Sequence, residues 1–241
     1  RSTNYGQDWG NVSIDGNRNV NWANMSMSAS GQYGAACIND RGIYISSDYG
    51  NTWVGSTSAP TPGWSSIDMS DSGQYMAACS NQGVNIYISS DYGSTWSNSN
   101  DSPINTFNSI TMSSNGNYIA AINNIGGIYV SSNYGSNWHL KYDDSNVSWT
   151  GIDMSSSGQY MVAASNGGGI YISYNYGVDW TNILTTSNLN TINWGSVTMS
   201  SSGNYIAASV FSGGIYAFTN LLTIVTEYET NGVDLGSLFD P

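Results

Sequence analysis

The chain has 241 residues, only 8% of them charged, and 4 Lys+Arg against 16 Asp+Glu leave a net charge of −12. Such a balance excludes nucleic-acid binding and a polybasic membrane contact, both of which need clustered cations, and no apolar run is long enough to insert in a bilayer as a helix. With 9 Trp, 18 Tyr and 28 Gly, the chain has too many aromatics for disorder and enough turn formers for a β-rich fold with a neutral polar surface.

The chain opens on the box STNYGQDW (Ser2 to Trp9) and then repeats one pattern five times. Each copy starts with a strand signal at Trp22, Trp64, Phe107, Trp149 or Trp194, as in WSSIDM, with apolar alternation at Ile67 and Met69. A turn Ser-x-Ser/Asn-Gly follows, then a second strand such as Gln74 to Cys79, then a third at Gly42, Asn85, Gly127, Gly169 or Gly214. The first four copies end in a box like the opening one: SSDYGNTW, SSDYGSTW, SSNYGSNW and SYNYGVDW. The box Trp residues, at 9, 53, 96, 138 and 180, are spaced by 44, 43, 42 and 42 residues. Short strands bounded by Gly, Ser and Asn, four to a unit at this period, predict the blades of a β-propeller.

Five first strands predict an all-β, five-bladed propeller of four-stranded blades spanning residues 1–218. The fifth copy lacks a box of its own, and the orphan box lies at the N-terminus. Circular closure follows as an expectation: residues 1–14 supply the box and fourth strand of blade five, beside Gly214 to Phe218, and leave no open edge. Residues 219–241 break the repeat and read as a tail that leads onward or docks on a neighbour, a route to self-assembly.

The box S-x-D-x-G-x-T-W resembles the Asp-box, or bacterial neuraminidase repeat, of sialidase-like and photosystem-assembly-factor-like propellers, and the resemblance covers residues 2 to about 218. It implies a structural hairpin between strands three and four. The Asp accepts backbone N–H bonds, the Gly takes a positive φ, and the Trp packs beneath. The positions are Asn4, Gly6 and Trp9; Asp48, Gly50 and Trp53; Asp91, Gly93 and Trp96; Asn133, Gly135 and Trp138; Asn175, Gly177 and Trp180. Three Asn in place of Asp keep the local bonds but exclude a role that needs five carboxylates.

The resemblance also says what a sialidase requires: an Arg triad, a Tyr–Glu nucleophile and an Asp acid/base. The Arg residues here are Arg1, Arg18 and Arg41, and the Glu residues, Glu227 and Glu229, lie outside the blades. A non-catalytic member is expected. Asp68 and Asp153 share one first-strand position and read as solvated channel lining rather than a glycosidase pair. His139 has no nucleophile motif beside it. No cofactor and no metal are expected: Asp143, Asp144 and Asn146 do not match an EF-hand loop. Cys37 and Cys79 occupy one position in adjacent blades and read as small buried fillers rather than a disulfide.

The turns between strands one and two and the boxes hardly vary among copies, and both lie at one end of a propeller. The loops between strands two and three, and between strand four and the next blade (His139 to Ser148 in the third unit), vary and lie at the other end, where binding on a rigid frame is expected. The ligand-binding candidates there are Asp40, Arg41, Lys141, Tyr142, Asp143 and Asp144. A glycan or protein partner fits this neutral polar chemistry, in an extracellular or particle-surface setting; Asn11, Asn100 and Asn146 are sequons in the variable loops. The alternative is a structural subunit of a filament, coat or virion, and the second alternative a sialidase-like glycoside hydrolase.

Overall fold

The computed structural model describes residues 20–61, 63–83, 85–99, 101–103, 105–184 and 188–219, together with Ser2, Gln7, Asp8 and Gly10. Blade one comprises β1 (Trp22–Met27), β2 (Gly34–Ile38), β3 (Gly42–Ser46) and β4 (Val54–Gly55), and blade two β5 (Trp64–Met69), β6 (Met76–Ser80), β7 (Tyr87–Ser89) and β8 (Ser97–Asn98). Blade three holds β9 (Phe107–Met112), β10 (Ile119–Asn123), β11 (Gly127–Ser131) and β12 (His139–Asp143). Blade four holds β13 (Ser148–Met154), β14 (Met161–Asn166), β15 (Gly169–Ser173) and β16 (Thr181–Asn182). After a 3-10 turn, Asn188–Thr191, blade five follows with β17 (Trp194–Met199), β18 (Tyr205–Val210) and β19 (Ile215–Thr219). Within every blade the strands are antiparallel and in sequential order. The fold is thus all-β and built of five blades. The fourth strand expected for blade five rests on residues 1–14, which lie outside the described residues except for the four named above.

The second strands, β2, β6 and β10, are buried along their whole length. Small residues there (Ala35, Ala77, Ala120 and their neighbours) let blades stack closely on both faces. Four hydrophobic clusters fill the joints between consecutive blades. Each is made alike: an Ile in or just before one blade's third strand (Ile43, Ile86, Ile128, Ile170) lies with the first-strand aromatic of the next blade (Trp64, Phe107, Trp149, Trp194), all at most 1% exposed. Tyr87, Tyr129, Tyr171 and Tyr216 meet these aromatics edge-on at 5.0–5.6 Å. The indole N–H groups of Trp64, Trp149 and Trp194 are buried without an acceptor. Phe107 fills the same place without any N–H, so ring shape is what the joint requires.

At the uniform end the blades are also laced through backbone. Ala29 donates its N–H to Asp71, Asp71 to Ser114, Ser114 to Ser156 and Ser156 to Ser201, each at 2.9 Å. Box tyrosines add a second lacing: Tyr92 packs on Tyr33, Tyr134 on Tyr75 and Tyr176 on Tyr118, with ring centroids 4.6–4.7 Å apart. These tyrosines hold φ near +60°, a strain of about 1–2 kcal/mol for a residue with a Cβ, which the ring contact helps to offset.

In each of the four described boxes the Ser hydroxyl accepts the Gly N–H, at 2.9 Å for Ser46 and Gly50, and donates to the Asp or Asn. Asp48 then accepts the N–H and hydroxyl of Thr52, and these bonds hold its carboxyl down at about 2. Asn133 and Asn175 accept the corresponding N–H groups of Asn137 and Asp179 at 2.9 Å. Gly50, Gly93, Gly135 and Gly177 have φ between 76° and 79°. The box Trp residues separate into two kinds. Trp96 and Trp138 are buried between their own and the preceding blade. Trp53 is half-buried in a small cluster with Val20, Ile38 and Tyr44 on the other side of blade one.

One expectation needs correction. The segment His139 to Ser148 is not a loop throughout, because His139–Asp143 forms β12 and pairs with Gly127 to Val130. Its alternating His-Leu-Lys-Tyr-Asp sequence suits an edge strand, and the other fourth strands keep only two residues. Asp68 and Asp153 do line the channel, half-buried, and their hydrogen bonds are described below.

Candidate functional site

The five first strands surround a channel of about 450 Å³, lined by residues of β1, β5, β9, β13 and β17. Every one of these strands carries a β-bulge just after its leading aromatic, Trp22, Trp64, Phe107, Trp149 or Trp194. A bulge turns the extra side chain out of the pleat. Here it turns Ser65 to the Phe107 carbonyl (2.6 Å) and Asn108 to the Trp149 carbonyl (3.1 Å), in each case the next blade. The channel mouth at the variable-loop end is thereby lined with fixed amides and hydroxyls, among them Asn108, Ser109 and Thr150.

Toward the uniform end the channel holds Ser26, Asp68, Thr111, Asp153 and Thr198 at equivalent positions of the five blades. Asp68 accepts from the Ser26 hydroxyl (2.7 Å), from its own neighbour's Met69 N–H (2.8 Å) and from Met112 N–H of blade three (2.8 Å). Asp153 accepts from Thr111 (3.3 Å), Met154 N–H (2.8 Å), Thr198 (2.8 Å) and Met199 N–H (2.7 Å). Each carboxylate therefore clips three blades. Burial pushes the Asp68 carboxyl up to about 6, against the downward pull of its hydrogen bonds.

The expected ligand residues fall in two places. Asp40 and Arg41 are exposed in the turn between β2 and β3. Lys141, Tyr142 and Asp143 belong to β12, and Asp144 starts the turn that follows. Both groups lie at the variable-loop end, in non-adjacent blades. Tyr142 is a wall rather than a platform: its ring meets Trp149 at 5.5 Å and Tyr171 at 5.4 Å, and burial with the Tyr171 hydrogen bond raises its phenol. Asp144 is committed to its own turn, accepting the N–H and side-chain amide of Asn146 at 3.0 and 2.9 Å. Of the sequons, Asn146 is exposed in this turn; Asn11 and Asn100 lie outside the described residues, as do Asn4, Gly6 and Trp9 of the first box. The hydroxyl- and amide-lined mouth was missed in the sequence. Its signal was the polar residue after each first-strand aromatic in blades two to four, Ser65, Asn108 and Thr150.

No protein-family model matches the sequence, and none of the curated proteins does. Solved structures do match its backbone. A GH74 enzyme of Niastella koreensis superposes with a TM-score of 0.63 at 18% identity, over 83% of this chain and 30% of that one. The GH74 xyloglucanase of Xanthomonas campestris gives 0.64 at 12% identity, over 83% and 37%. YCF48, solved bound to D1 peptide, gives 0.62 at 19% identity, over 82% and 64%. The chain spans about a third of the two GH74 chains and under two thirds of YCF48, and at these identities the shared property is the fold.

Proposed function

We propose that the protein is a non-enzymatic recognition module of the Asp-box class, working at a cell or particle surface. It binds a neutral, hydroxyl- or amide-rich ligand, a glycan in the sharper form, at the variable-loop end of its channel. One observation carries the reading. Boxes and turns at one end are consumed in lacing the blades together, whereas the other end opens on a channel of oriented amides and hydroxyls able to donate and accept. The similar folds of a xyloglucanase and of a protein solved bound to a peptide are consistent with either ligand class.

The absence of turnover rests on Asp68 and Asp153. A glycosidase needs one carboxyl free to protonate the leaving oxygen and one free to attack or to activate water. Both oxygens of each Asp here are held by backbone N–H and hydroxyl donors of neighbouring strands. The test is calorimetric titration with xyloglucan and other neutral oligosaccharides, read beside product release from the same sugars. Binding without release is expected; release of reducing ends abolished by Asp153→Asn would replace this reading with a hydrolase.

A further inference from the structure

Six tyrosines at the uniform end form three stacked pairs, one across each of the first three joints. Tyr33 of blade one meets Tyr92 of blade two, Tyr75 meets Tyr134, and Tyr118 meets Tyr176. Their ring centroids are 4.6, 4.6 and 4.7 Å apart and their planes 33°, 37° and 27° from parallel. One ring of each pair is fixed in place. Gly73, Gly116 or Gly158 of the next blade lies so close that a Cβ there would stand 2.7–2.8 Å from the side chain of Tyr33, Tyr75 or Tyr118. The other ring is open to solvent, with Tyr92 39%, Tyr134 41% and Tyr176 38% exposed. Packing asks for a ring and not for a phenol. Phe107 stands where the other blades have Trp, yet both tyrosine positions keep Tyr in all five copies of the repeat. The box position keeps it at a φ near +60° that Gly would hold without strain. None of the six hydroxyls hydrogen-bonds to a described residue.

We propose that these pairs are sites of oxidative coupling, at which Tyr33 is joined to Tyr92, Tyr75 to Tyr134 and Tyr118 to Tyr176 as dityrosine. The oxidant is hydrogen peroxide acting through a haem peroxidase. Each phenol gives up one electron and its O–H proton. The phenoxyl radical carries its unpaired electron in the ring π system, on oxygen and on the two Cε carbons. That orbital stands perpendicular to the ring, so two radicals couple face to face. The stacked pairs supply this overlap, whereas the edge-on Tyr142–Tyr171 pair, at 5.4 Å and 66°, does not. A Cε–Cε bond forms, the hydrogens on those two carbons leave as protons, and the two phenoxyl oxygens are reprotonated, so both rings are aromatic again. Each pair has then lost two electrons and two protons, which reduce one peroxide to two waters. The product is a covalent tie between adjacent blades, at the end where hydrogen bonds and ring contacts already lace them. It closes a long loop in the unfolded chain and stabilises as a disulfide does, in a protein whose two cysteines are buried and free.

The test treats the 241-residue chain, kept dilute, with hydrogen peroxide and a haem peroxidase, beside Tyr92→Phe, Tyr134→Phe and Tyr176→Phe, singly and together. Phe keeps the ring and lacks the phenolic hydrogen, so the variants should melt like the parent before treatment; Tyr33→Phe, Tyr75→Phe or Tyr118→Phe replaces any that does not. Peptide mapping of the parent should find the three named linkages, each with the mass of two peptides less two hydrogen atoms and with dityrosine fluorescence. Each single variant should lose its own linkage and keep the other two. Treatment in urea should abolish the selectivity. The treated parent should also melt above the treated triple variant, which shares any methionine oxidation. Linkages that are absent, scattered over other tyrosines or formed only between chains overturn the proposal, as does a treated parent that melts no higher than the treated triple variant. The readout involves no ligand and is independent of the recognition reading.

Discussion

Asp68 shows how one side chain sets the register of three strands. Its carboxyl is raised to about 6 in the fold from an ordinary value of 3.8, so the folded protein favours the neutral form. That contribution to stability is complete below the unfolded value and is lost as pH rises through about 6. Asp48 has the opposite sign: held at about 2, it contributes above 3.8 and ceases to as pH falls through about 2. Stability measured by urea melts should therefore rise as the pH is lowered from neutral toward about 5. Asp68→Asn should lose that rise and should also cost about 1–3 kcal/mol, because its amide nitrogen cannot accept the Met112 N–H that Asp68 holds. An unchanged pH profile in the variant would assign the effect to other groups. Cys37 and Cys79 are free and buried, and burial raises their thiols to about 11 and 12. Neither should react with a thiol reagent in the native protein at neutral pH, and both should react in denaturant; modification of the native protein would place at least one of them at an accessible surface.

The element that holds each blade to its predecessor is the hairpin box. Trp138 is buried between blades two and three, and its indole N–H donates to the Gly135 carbonyl and to Ser99. Trp138→Ala should cost about 3–5 kcal/mol, as for other buried aromatics. Trp53→Ala should cost distinctly less, because Trp53 is only half-buried. Equal losses in denaturant melts would mean that Trp53 is packed as fully as Trp138. The boxes were legible in the sequence because the bonds among their Ser, Gly and Asp or Asn residues are local, within five residues. First strands such as β5 were legible for a similar reason, bounded by an aromatic and a Ser-Gly turn. The bulges were not legible, since the bulged position holds Ala23, Ser65, Asn108, Thr150 or Gly195 and no residue type marks it. The Asp clips were missed because their donors come from other blades, some forty residues away along the chain. β12 is not legible because its variable sequence resembles that of a loop, and an edge strand tolerates variation equally well.

At the scale of the molecule, lacing and variation are separated along the axis. Ladders, stacked tyrosines and boxes occupy the uniform end, and the rigidity they give lets the other end vary without loss of the frame. The carboxylate clips lie between these ends, inside the channel, and belong to the frame. Arg41 and Lys141, two of the 4 cations in the chain, stand at the variable end in blades one and three, on opposite sides of blade two, while Gln74 and Gln159 stand at the uniform end. The central claim, recognition at the variable-loop end, is tested most directly by a paired alanine scan read as affinity for the oligosaccharide bound by the parent. Arg41→Ala and Lys141→Ala should each weaken binding several-fold with the melting temperature unchanged, and Gln74→Ala and Gln159→Ala should leave affinity as it was. Equal losses from both pairs, or loss confined to Gln74 and Gln159, would contradict the account.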